Sequence, residues 1–399
     1  MRTSRRTYQQ THPWLTFRLD LREASPALWM LLGEAQSKCE HIAGVPLRPA
    51  TAQHLHQVFL AKGALATTAI EGNTLTEDQA LQIVEGRLEV PPSQNYLKQE
   101  VVNIVRACNN IFDRAVRGEP SDLTPELITD FNRRVLEGLS LPEGTAAGEA
   151  RQCEVSVAGY HGAPARDCSY LLEQLCAWLN SDDFQSPSGL EIVYGVLRAV
   201  LVHLYLAWIH PFVDGNGRTA RLVEFQILVA SGIPSPAAHL LSNYYNLTRQ
   251  EYYRQLAKAS DSRSDPLSFI EYAVRGFVDG LKEQLDVIRG QQWNVTWENY
   301  VHEKFRDRTS AAENRRRHLA LDLSSLSAPV SLSQVTSISP RVARSYAMKS
   351  QKTLSRDIAA LEKEQLILRT PQGIEANRRL ILAFIPVRRV PKRRPHDLG

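Results

Sequence analysis

The 399-residue sequence predicts a mainly α-helical fold with one short β-hairpin, followed by a small C-terminal domain of helices and strands. Helical spacing of apolar residues recurs in most segments from residue 25 onwards. One run of alternating apolar and polar residues, 153–157, lies where that spacing lapses between residues 140 and 168. The charge balance also changes near residue 300. Residues 300–399 contain 20 Lys and Arg against 9 Asp and Glu, whereas residues 1–299 contain 27 against 34.

The overall composition is typical of a globular protein with reduced thiols. Hydrophobic residues make up 43% and charged residues 23% of the chain, which is long enough for two or three domains. The five cysteines form no CxxC pair, and their odd number suits no closed set of disulfides. The first residues lack the apolar run of an export signal. A cytoplasmic location is therefore expected.

Residues 190–209 superficially resemble a membrane span of about 20 residues. Glu191, Arg198 and His203 interrupt the apolar run, and charges are costly at the centre of a bilayer. We therefore predict a buried central helix that leads into His210, and no membrane contact. His203 is expected to be a hydrogen-bonded histidine of the core.

The N-terminal part predicts helices over 25–62, with a break near Pro46 and Pro49, and then an alanine-rich helix that Gly72 and Asn73 end. Glu71 would lie at the C-terminal end of this helix, where a negative charge is unfavourable. It therefore requires a nearby cation, and Arg221 is the candidate. The alternative is an exposed glutamate with no special role.

Several short signals place the elements that follow. Further helices are predicted from Thr76, over 95–117, from Thr124 to residue 138, over 171–180 and over 222–230. The run 153–157 predicts a short strand, and Gly159 and Gly162 mark the turn after it.

A segment rich in catalytic residue types occupies positions 210–221, with the sequence His-Pro-Phe-Val-Asp-Gly-Asn-Gly-Arg-Thr-Ala-Arg. Gly215 and Gly217 allow a tight turn that brings backbone N–H groups close to an anion. The apolar helix that follows directs its positive end to the same place. This combination suits a polyphosphate.

The side chains of this segment indicate the same ligand. Arg218 and Arg221 share a helix face and can bind phosphate oxygens through planar forks. Asp214 offers a hard oxygen ligand for a magnesium ion carried by phosphates. His210 can take a proton from an incoming nucleophile. The alternative is a surface turn with solvated arginines. A Walker-type loop is excluded, because GxxxxGK[ST] does not occur in the sequence.

The C-terminal part predicts a winged helix-turn-helix domain after a linker at 290–300. A short helix is expected near 331–335 and a longer one over 350–364. The longer helix places Leu354, Ile358 and Leu361 on one face, with Lys352 and Arg356 elsewhere. Segments 367–369 and 379–385 would form the wing around a turn at 371–373. DNA binding through this domain and its basic tail, and docking of a protein, are the two alternatives.

The segment 210–221 resembles the signature HxFx(D/E)GNGRxxR of the Fic family at every fixed position. Those positions are His210, Phe212, Asp214, Gly215, Asn216, Gly217, Arg218 and Arg221. Thr67, Glu71 and Gly72 resemble the family's inhibitory motif (S/T)xxxE(G/N). The resemblance to the family's flap is partial, because Arg151 and Val155 fit but Ala158 stands where glycine is common. In total the resemblance covers roughly residues 60–285.

The resemblance implies a Fic helical core with a short β-hairpin flap, to which the C-terminal pattern adds a winged-helix domain. Together they divide the chain into an N-terminal helical region 1–115 that contains the inhibitory helix (60–73), a catalytic core 116–289, a winged-helix domain 300–386 and a basic tail 387–399.

The implied reaction is transfer of AMP from ATP to a hydroxyl side chain of a target protein, with release of pyrophosphate. His210 would be the catalytic base, and Asp214 would bind Mg²⁺. Asn216 would contact the α-phosphoryl group, Arg218 the leaving pyrophosphate and Arg221 the γ-phosphate. Tyr252 and Tyr253 would line the adenosine pocket, with Ser260 at a position where asparagine is common.

The implied nucleotide-binding residues are Asp214, Gly215, Asn216, Gly217, Arg218, Thr219, Ala220, Arg221, Tyr252, Tyr253, Val155, Ser156, Val157 and Ala158. The implied autoinhibitory residues are Glu71, Thr67 and Gly72.

Two alternatives remain at this point. Removal of AMP would use the same residues together with an ordered glutamate, whereas Gly217-Arg218 argues against a kinase-like member of the family. A DNA-binding regulator whose core senses nucleotide is the alternative from another class. The target protein and the choice between a monomer and a homodimer are not encoded in any motif.

Overall fold

The computed structural model describes residues 6–143, 145–157, 159–260, 266–326 and 328–382. The chain divides into two compact units, Met1–Leu285 and Asp286–Gly399. The bounds of the helices are α1 Tyr8–Thr11, α2 Pro26–Ala43, α3 Pro49–Ala69, α4 Glu77–Val84, α5 Asn95–Val116, α6 Pro125–Val135, α7 Cys168–Leu179, α8 Glu191–Ile209, α9 Asn216–Ala230, α10 Ser235–Ala238, α11 Leu240–Leu247, α12 Arg249–Ala259, α13 Pro266–Lys304, α14 Ala311–Ser324, α15 Pro340–Tyr346 and α16 Gln351–Lys363.

Local sequence signals explain where many of these helices begin. The Ser25 and Thr124 side chains accept hydrogen bonds from backbone N–H groups of the first turn of α2 and α6, and proline follows each cap. Thr76 and Gln79 form a reciprocal capping box at the start of α4. The predicted starts are therefore confirmed, although α6 ends at Val135, three residues before its predicted end.

Helix α8 lies at the centre of the first unit and confirms the predicted buried helix. Nearly all of its residues are buried, and it packs against α2, α7 and α9. In the described part of the chain it is the one helix long and apolar enough to cross a membrane, and 83% of that window is buried inside the protein. Its apolar surface is therefore covered by neighbouring helices.

The first unit has one continuous hydrophobic core, which does not divide at the predicted boundary between residues 115 and 116. Helix α5 packs against α3 and α4 on the N-terminal side, and against α6 and α9 of the predicted core. Buried side chains from α2 and α3 belong to the same apolar cluster as those of α8 and α9. The N-terminal helices could not bury their apolar faces without this partner.

The predicted hairpin is present but shorter than expected. Ser156–Val157 (β1) pairs antiparallel with Tyr160–His161 (β2), whereas 153–155 lie outside the strand. Gly159 has φ +86° in the turn, and Ala158 lies outside the described residues.

The second unit has its own hydrophobic core, and the prediction of a linker at 290–300 is wrong. Residues 290–300 lie inside the continuous helix α13. Trp297 from this stretch is fully buried among side chains of α14 and α16. Burial of the Trp297 ring therefore stabilises the helical conformation of residues 290–300, whereas the polar composition of this stretch indicated a linker.

The β-hairpin of the second unit is formed by other residues than those predicted for the wing. Ile367–Thr370 (β3) pairs with Gly373–Ala376 (β4) through a two-residue turn, and Val330 bridges to Ile374. Arg378–Ile381 forms a 3₁₀ turn, and 383–385 lie outside the described residues, as does the predicted tail 387–399.

The short helix expected near 331–335 is a 3₁₀ turn at Val335–Ser337, and α15 begins only where Ser339 caps it. Helix α16 buries the predicted apolar face and exposes Lys352 and Arg356.

Candidate active site

The motif loop connects the C-terminal end of α8 to the N-terminal end of α9. His210 ends α8 in a left-handed conformation (φ 49°, ψ 60°), and Gly215 adopts φ +77° immediately before α9. The Asn216 side chain binds both the N–H (2.9 Å) and the C=O (2.8 Å) of Phe212. The amide nitrogen carries a second N–H, so the predicted contact with a phosphate is compatible with this arrangement.

Gly217 serves a different purpose from the one predicted. It is helical and does not require a positive φ. A Cβ atom at this position would lie 2.1 Å from Oε1 of Glu71 and 3.1 Å from the Arg221 guanidinium nitrogens. Glycine is needed here for space beside this pair of side chains, whereas Gly215 is needed for its backbone conformation.

His210 is placed as a neutral imidazole. Burial lowers its pKa to about 4, against the opposing effect of a hydrogen bond to the backbone of Ala207. One ring nitrogen is thus occupied by the backbone, and the other can accept a proton at neutral pH. This state agrees with the predicted role of a base.

Arg151 fixes the backbone around His210, a role that the sequence did not reveal. Its guanidinium is buried and donates to the carbonyl oxygens of His210 (2.7 Å), Cys153 (2.7 Å) and Ala163. It therefore ties the hairpin segment to the start of the motif loop.

Arg221 forms the predicted ion pair with Glu71. Its Nη2 atom lies 2.5 Å from Oε1 of Glu71 and 2.9 Å from the carbonyl oxygen of Thr67. Enclosure by the protein would raise the pKa of Glu71, but the Arg221 charge outweighs it and the pKa is lowered. Glu71 lies in the turn after α3, and Gly72 continues that turn with φ +105°.

Arg218 contacts two carboxylates. Its Nη1 atom donates to Oε1 of Glu100 (2.7 Å) and its Nη2 atom to Oδ1 of Asp214 (3.0 Å). Glu100, on α5, was not identified from the sequence, because it is 118 residues from its partner. Asn132 was also missed, and it donates to the Asp214 carbonyl oxygen (2.9 Å) and to Oγ1 of Thr219 (3.2 Å).

One cavity brings many of the predicted residues together. It is lined by Ile70, Glu71, Val157, Tyr160, His203, Ala207, Trp208, His210, Asn216, Gly217, Ala220, Arg221, Tyr252, Tyr253, Leu256, Ala257 and Ser260. Predicted residues outside this lining are Thr67, Gly72, Val155, Ser156, Asp214, Gly215, Arg218 and Thr219. The cavity has a charged end at the motif loop and an aromatic end at α12, which suits a ligand with both characters.

His203 is the core histidine that the sequence predicts, and it also supports the aromatic end. Its ring is fully buried, and Nε2 lies 2.9 Å from the Tyr252 hydroxyl. The Tyr252 and Tyr253 rings pack against each other with centroids 5.2 Å apart.

The residues fit a magnesium ion held mainly by a nucleotide. The Asp214 side chain is 43% exposed, so it can reach a ligand beside the loop. In the described ranges, no group of three His, Cys, Asp or Glu residues could bind a metal alone. A single carboxylate together with phosphate oxygens is a usual environment for Mg²⁺.

Comparison with known proteins gives matches to one family. Residues 122–228 match the model of the Fic/DOC family. The chain is 30% identical over 243 residues to protein adenylyltransferase fic-1 of Caenorhabditis briggsae, covering 58% of this chain and 44% of the relative. It is 32% identical over 209 residues to protein adenylyltransferase Fic of Nematostella vectensis, covering 52% and 45%. The chain thus spans less than half the length of these curated relatives.

Solved structures show the same fold at low sequence identity. A Fic family protein from Desulfovibrio desulfuricans G20 superposes with a TM-score of 0.54 at 19% identity, covering 88% of this chain and 96% of that one. Fic-1 of Caenorhabditis elegans (residues 134–508) superposes with a TM-score of 0.52 at 22% identity, covering 66% and 73%. The chain therefore shares the fold of these proteins, and its residues 122–228 match the Fic/DOC family model.

Proposed function

We propose that this protein transfers AMP from ATP to a hydroxyl side chain of a target protein. The observation that carries the proposal is the neutral, partly buried imidazole of His210 in one cavity with Arg221 and the N-terminal end of α9. The names of the relatives, protein adenylyltransferases, support the same reaction.

The cavity would bind ATP in a defined direction. Backbone N–H groups at the start of α9 and the two motif arginines favour the triphosphate. Tyr252, Tyr253 and Leu256 offer an apolar and aromatic surface for the adenosine. Asp214 would bind the magnesium ion, which when present neutralises phosphate charge.

His210 would act on the incoming hydroxyl. Its free ring nitrogen takes the hydroxyl proton as the oxygen bonds to the α-phosphorus, and the bond from that phosphorus to pyrophosphate breaks. The hydrogen bond to Ala207 sets which nitrogen is free. Arg218 and Arg221 would stabilise the negative charge on the departing pyrophosphate and on the γ-phosphate.

We further propose that Glu71 keeps the enzyme in an inactive state. As long as its carboxylate contacts Arg221, this guanidinium is not available to the γ-phosphate. ATP would then bind with its α-phosphorus misaligned for attack, and such misplacement reduces the rate strongly.

Two variants test function and inhibition together. Incubated with labelled ATP, Glu71→Gly should label itself and target proteins far faster than the natural chain, and Glu71→Asp should be partly active. Glu89→Gly, at an exposed glutamate, is the matched control and should leave the rate unchanged.

Adding His210→Ala to Glu71→Gly should lower AMP transfer by roughly 100- to 10,000-fold with ATP binding retained. Normal labelling by that double variant would refute the role of His210.

Removal of AMP is the second activity that this site could support. A carboxylate beside the loop, such as Glu71, can orient a water molecule for hydrolysis of an AMP-modified side chain. If Glu71→Gly gains AMP transfer but loses AMP removal, both roles belong to this residue. Unchanged rates in both directions would refute the inhibitory role.

We also propose that the C-terminal unit binds DNA. The exposed Lys352 and Arg356 on α16 are the observation that favours it. DNA affinity of the whole chain should fall steeply with salt, and Arg356→Ala should weaken it more than Arg289→Ala on α13. Absent or salt-insensitive binding would favour a protein partner for this unit.

A further inference from the structure

A carboxylate outside the motif contacts the motif arginine Arg218. Glu100 contacts Nη1 of this arginine at 2.7 Å, and both side chains are largely buried, with 15% and 6% of their areas exposed. Nε of Arg218 has no hydrogen-bond partner among the described residues. The orientation of the guanidinium therefore depends on Glu100 and on Asp214.

The second oxygen of Glu100 is also occupied. Nδ2 of Asn73 donates to Oε2 of Glu100 (2.9 Å) and to the carbonyl oxygen of Leu97 (2.8 Å). Asn73 is buried and follows Glu71 by two residues. The turn that carries Glu71 and the carboxylate that contacts Arg218 are thus joined through one amide.

Affinity for phosphate does not explain why a carboxylate lies here. Three carboxylates (Glu71, Glu100 and Asp214) contact the two guanidinium groups of the motif (Arg218 and Arg221), and of these five residues Glu71 and Arg221 line the cavity. A further negative charge lowers the attraction for a polyphosphate. What the contact with Glu100 does provide is a charge partner and a fixed position for Nη1 of Arg218.

We propose that Glu100 is a positioning residue for AMP transfer, which orients the Arg218 guanidinium toward the leaving pyrophosphate. This inference rests on the proposed function. Both oxygens of the carboxylate accept hydrogen bonds, so an amide of the same shape cannot replace it, since it has only one acceptor oxygen. Glu100 thus lowers the affinity for ATP, and it orients Arg218, which acts when the bond to pyrophosphate breaks.

The test compares Glu100→Gln with its parent in the active Glu71→Gly background. ATP affinity, measured by calorimetry without added metal, should rise by roughly two- to tenfold, because a negative charge is lost. The rate of self-labelling at saturating ATP should fall by roughly ten- to a hundredfold, because Arg218 loses its orientation. Asp113→Asn, on the exposed face of the same helix, should change neither value.

Asn73→Ala separates charge from orientation. It leaves the charge of Glu100 in place and removes the hydrogen bond that fixes it. ATP affinity should stay constant, and the labelling rate should fall by a smaller factor than in Glu100→Gln. A purely structural role for Glu100 predicts instead that ATP affinity, labelling rate and melting temperature fall together, and that result would overturn the proposal. An unchanged labelling rate would overturn it as well.

A measurement on Arg218 itself is independent of the reaction. NMR of arginine-labelled protein, with Arg218→Lys for assignment, should show faster rotation of this guanidinium in Glu100→Gln than in the natural chain. Equal rotation rates would contradict the positioning role. If Glu71→Gly transfers no AMP, the proposed reaction is refuted, and the rotation rate still decides whether Glu100 orients Arg218.

Discussion

At the scale of single residues, the backbone of His210 and the side chain of Arg151 belong to one arrangement. A left-handed conformation costs a non-glycine residue roughly 1–2 kcal/mol, so it requires support from its surroundings. The buried Arg151 guanidinium supplies that support through the carbonyl oxygens of His210 and Cys153. The same enclosure removes water from the imidazole and thereby sets its protonation state.

The protonation of His210 can be tested directly. Because burial lowers its pKa to about 4, the ring should remain neutral from pH 8 down to about pH 5. NMR titration, assigned with His210→Ala, should therefore show no transition for this ring near its usual value of about 6.5. The negative charge of Glu71 favours the protonated ring, so Glu71→Gly should lower the pKa further. A titration near 6.5 would contradict the neutral resting state.

At the scale of elements, α13 contains a stretch whose local sequence indicates a linker but whose structure is helical. Gly290 and the polar residues after it indicate a linker. In the structure they continue a helix of 39 residues, because Trp297 is buried one to two turns later. Burial of a large ring outweighs the small helical preference of the residues before it.

Two glycines of α13 provide a matched test of this helix. A Cβ at Gly290 would meet no atom within 4 Å, so Gly290→Ala should stabilise the protein by about 0.5–1 kcal/mol. A Cβ at Gly276 would lie 2.0 Å from the Tyr244 ring, so Gly276→Ala should destabilise it by about 1–3 kcal/mol. Denaturant unfolding of both variants gives these values. A loss of stability in Gly290→Ala would show that this stretch is not helical in solution.

At the scale of the whole molecule, the described residues form two hydrophobic cores that share no residue. The core of the first unit surrounds α8 and the motif helix α9, whereas the core of the second surrounds Trp297 and α16. Each unit is therefore expected to have its own stability.

Substitutions of two tryptophans test this independence. Trp297 is fully buried and Trp293 is 45% exposed on the same helix. Trp297→Ala should destabilise the second unit by about 3–5 kcal/mol and leave ATP affinity unchanged, whereas Trp293→Ala should have little effect on either. Calorimetric unfolding, with and without ATP, separates the two transitions. Loss of ATP binding in Trp297→Ala would show that the units depend on each other.

The sequence alone determined the features that depend on neighbouring residues. Caps such as Thr76 and Thr124 begin helices because a side-chain oxygen satisfies N–H groups within the same turn. The motif 210–221 predicted a tight turn before a helix, and Gly215 adopts the positive φ that this turn requires. Even the pair of Glu71 and Arg221 could be predicted, since a carboxylate at a helix C-terminal end requires a cation.

Only the tertiary structure decided which side chains from distant parts of the sequence contact the motif arginines. Glu100 contacts Arg218 because α5 packs against α9, and nothing in the sequence near either residue requires that packing. The same holds for Arg151, whose carbonyl partners meet only when the hairpin segment folds over the start of the motif loop. The turn 371–372 and the burial of Trp297 likewise depend on contacts between separate elements. Short-range signals specify where helices begin, whereas the orientation of charged groups depends on how the helices pack.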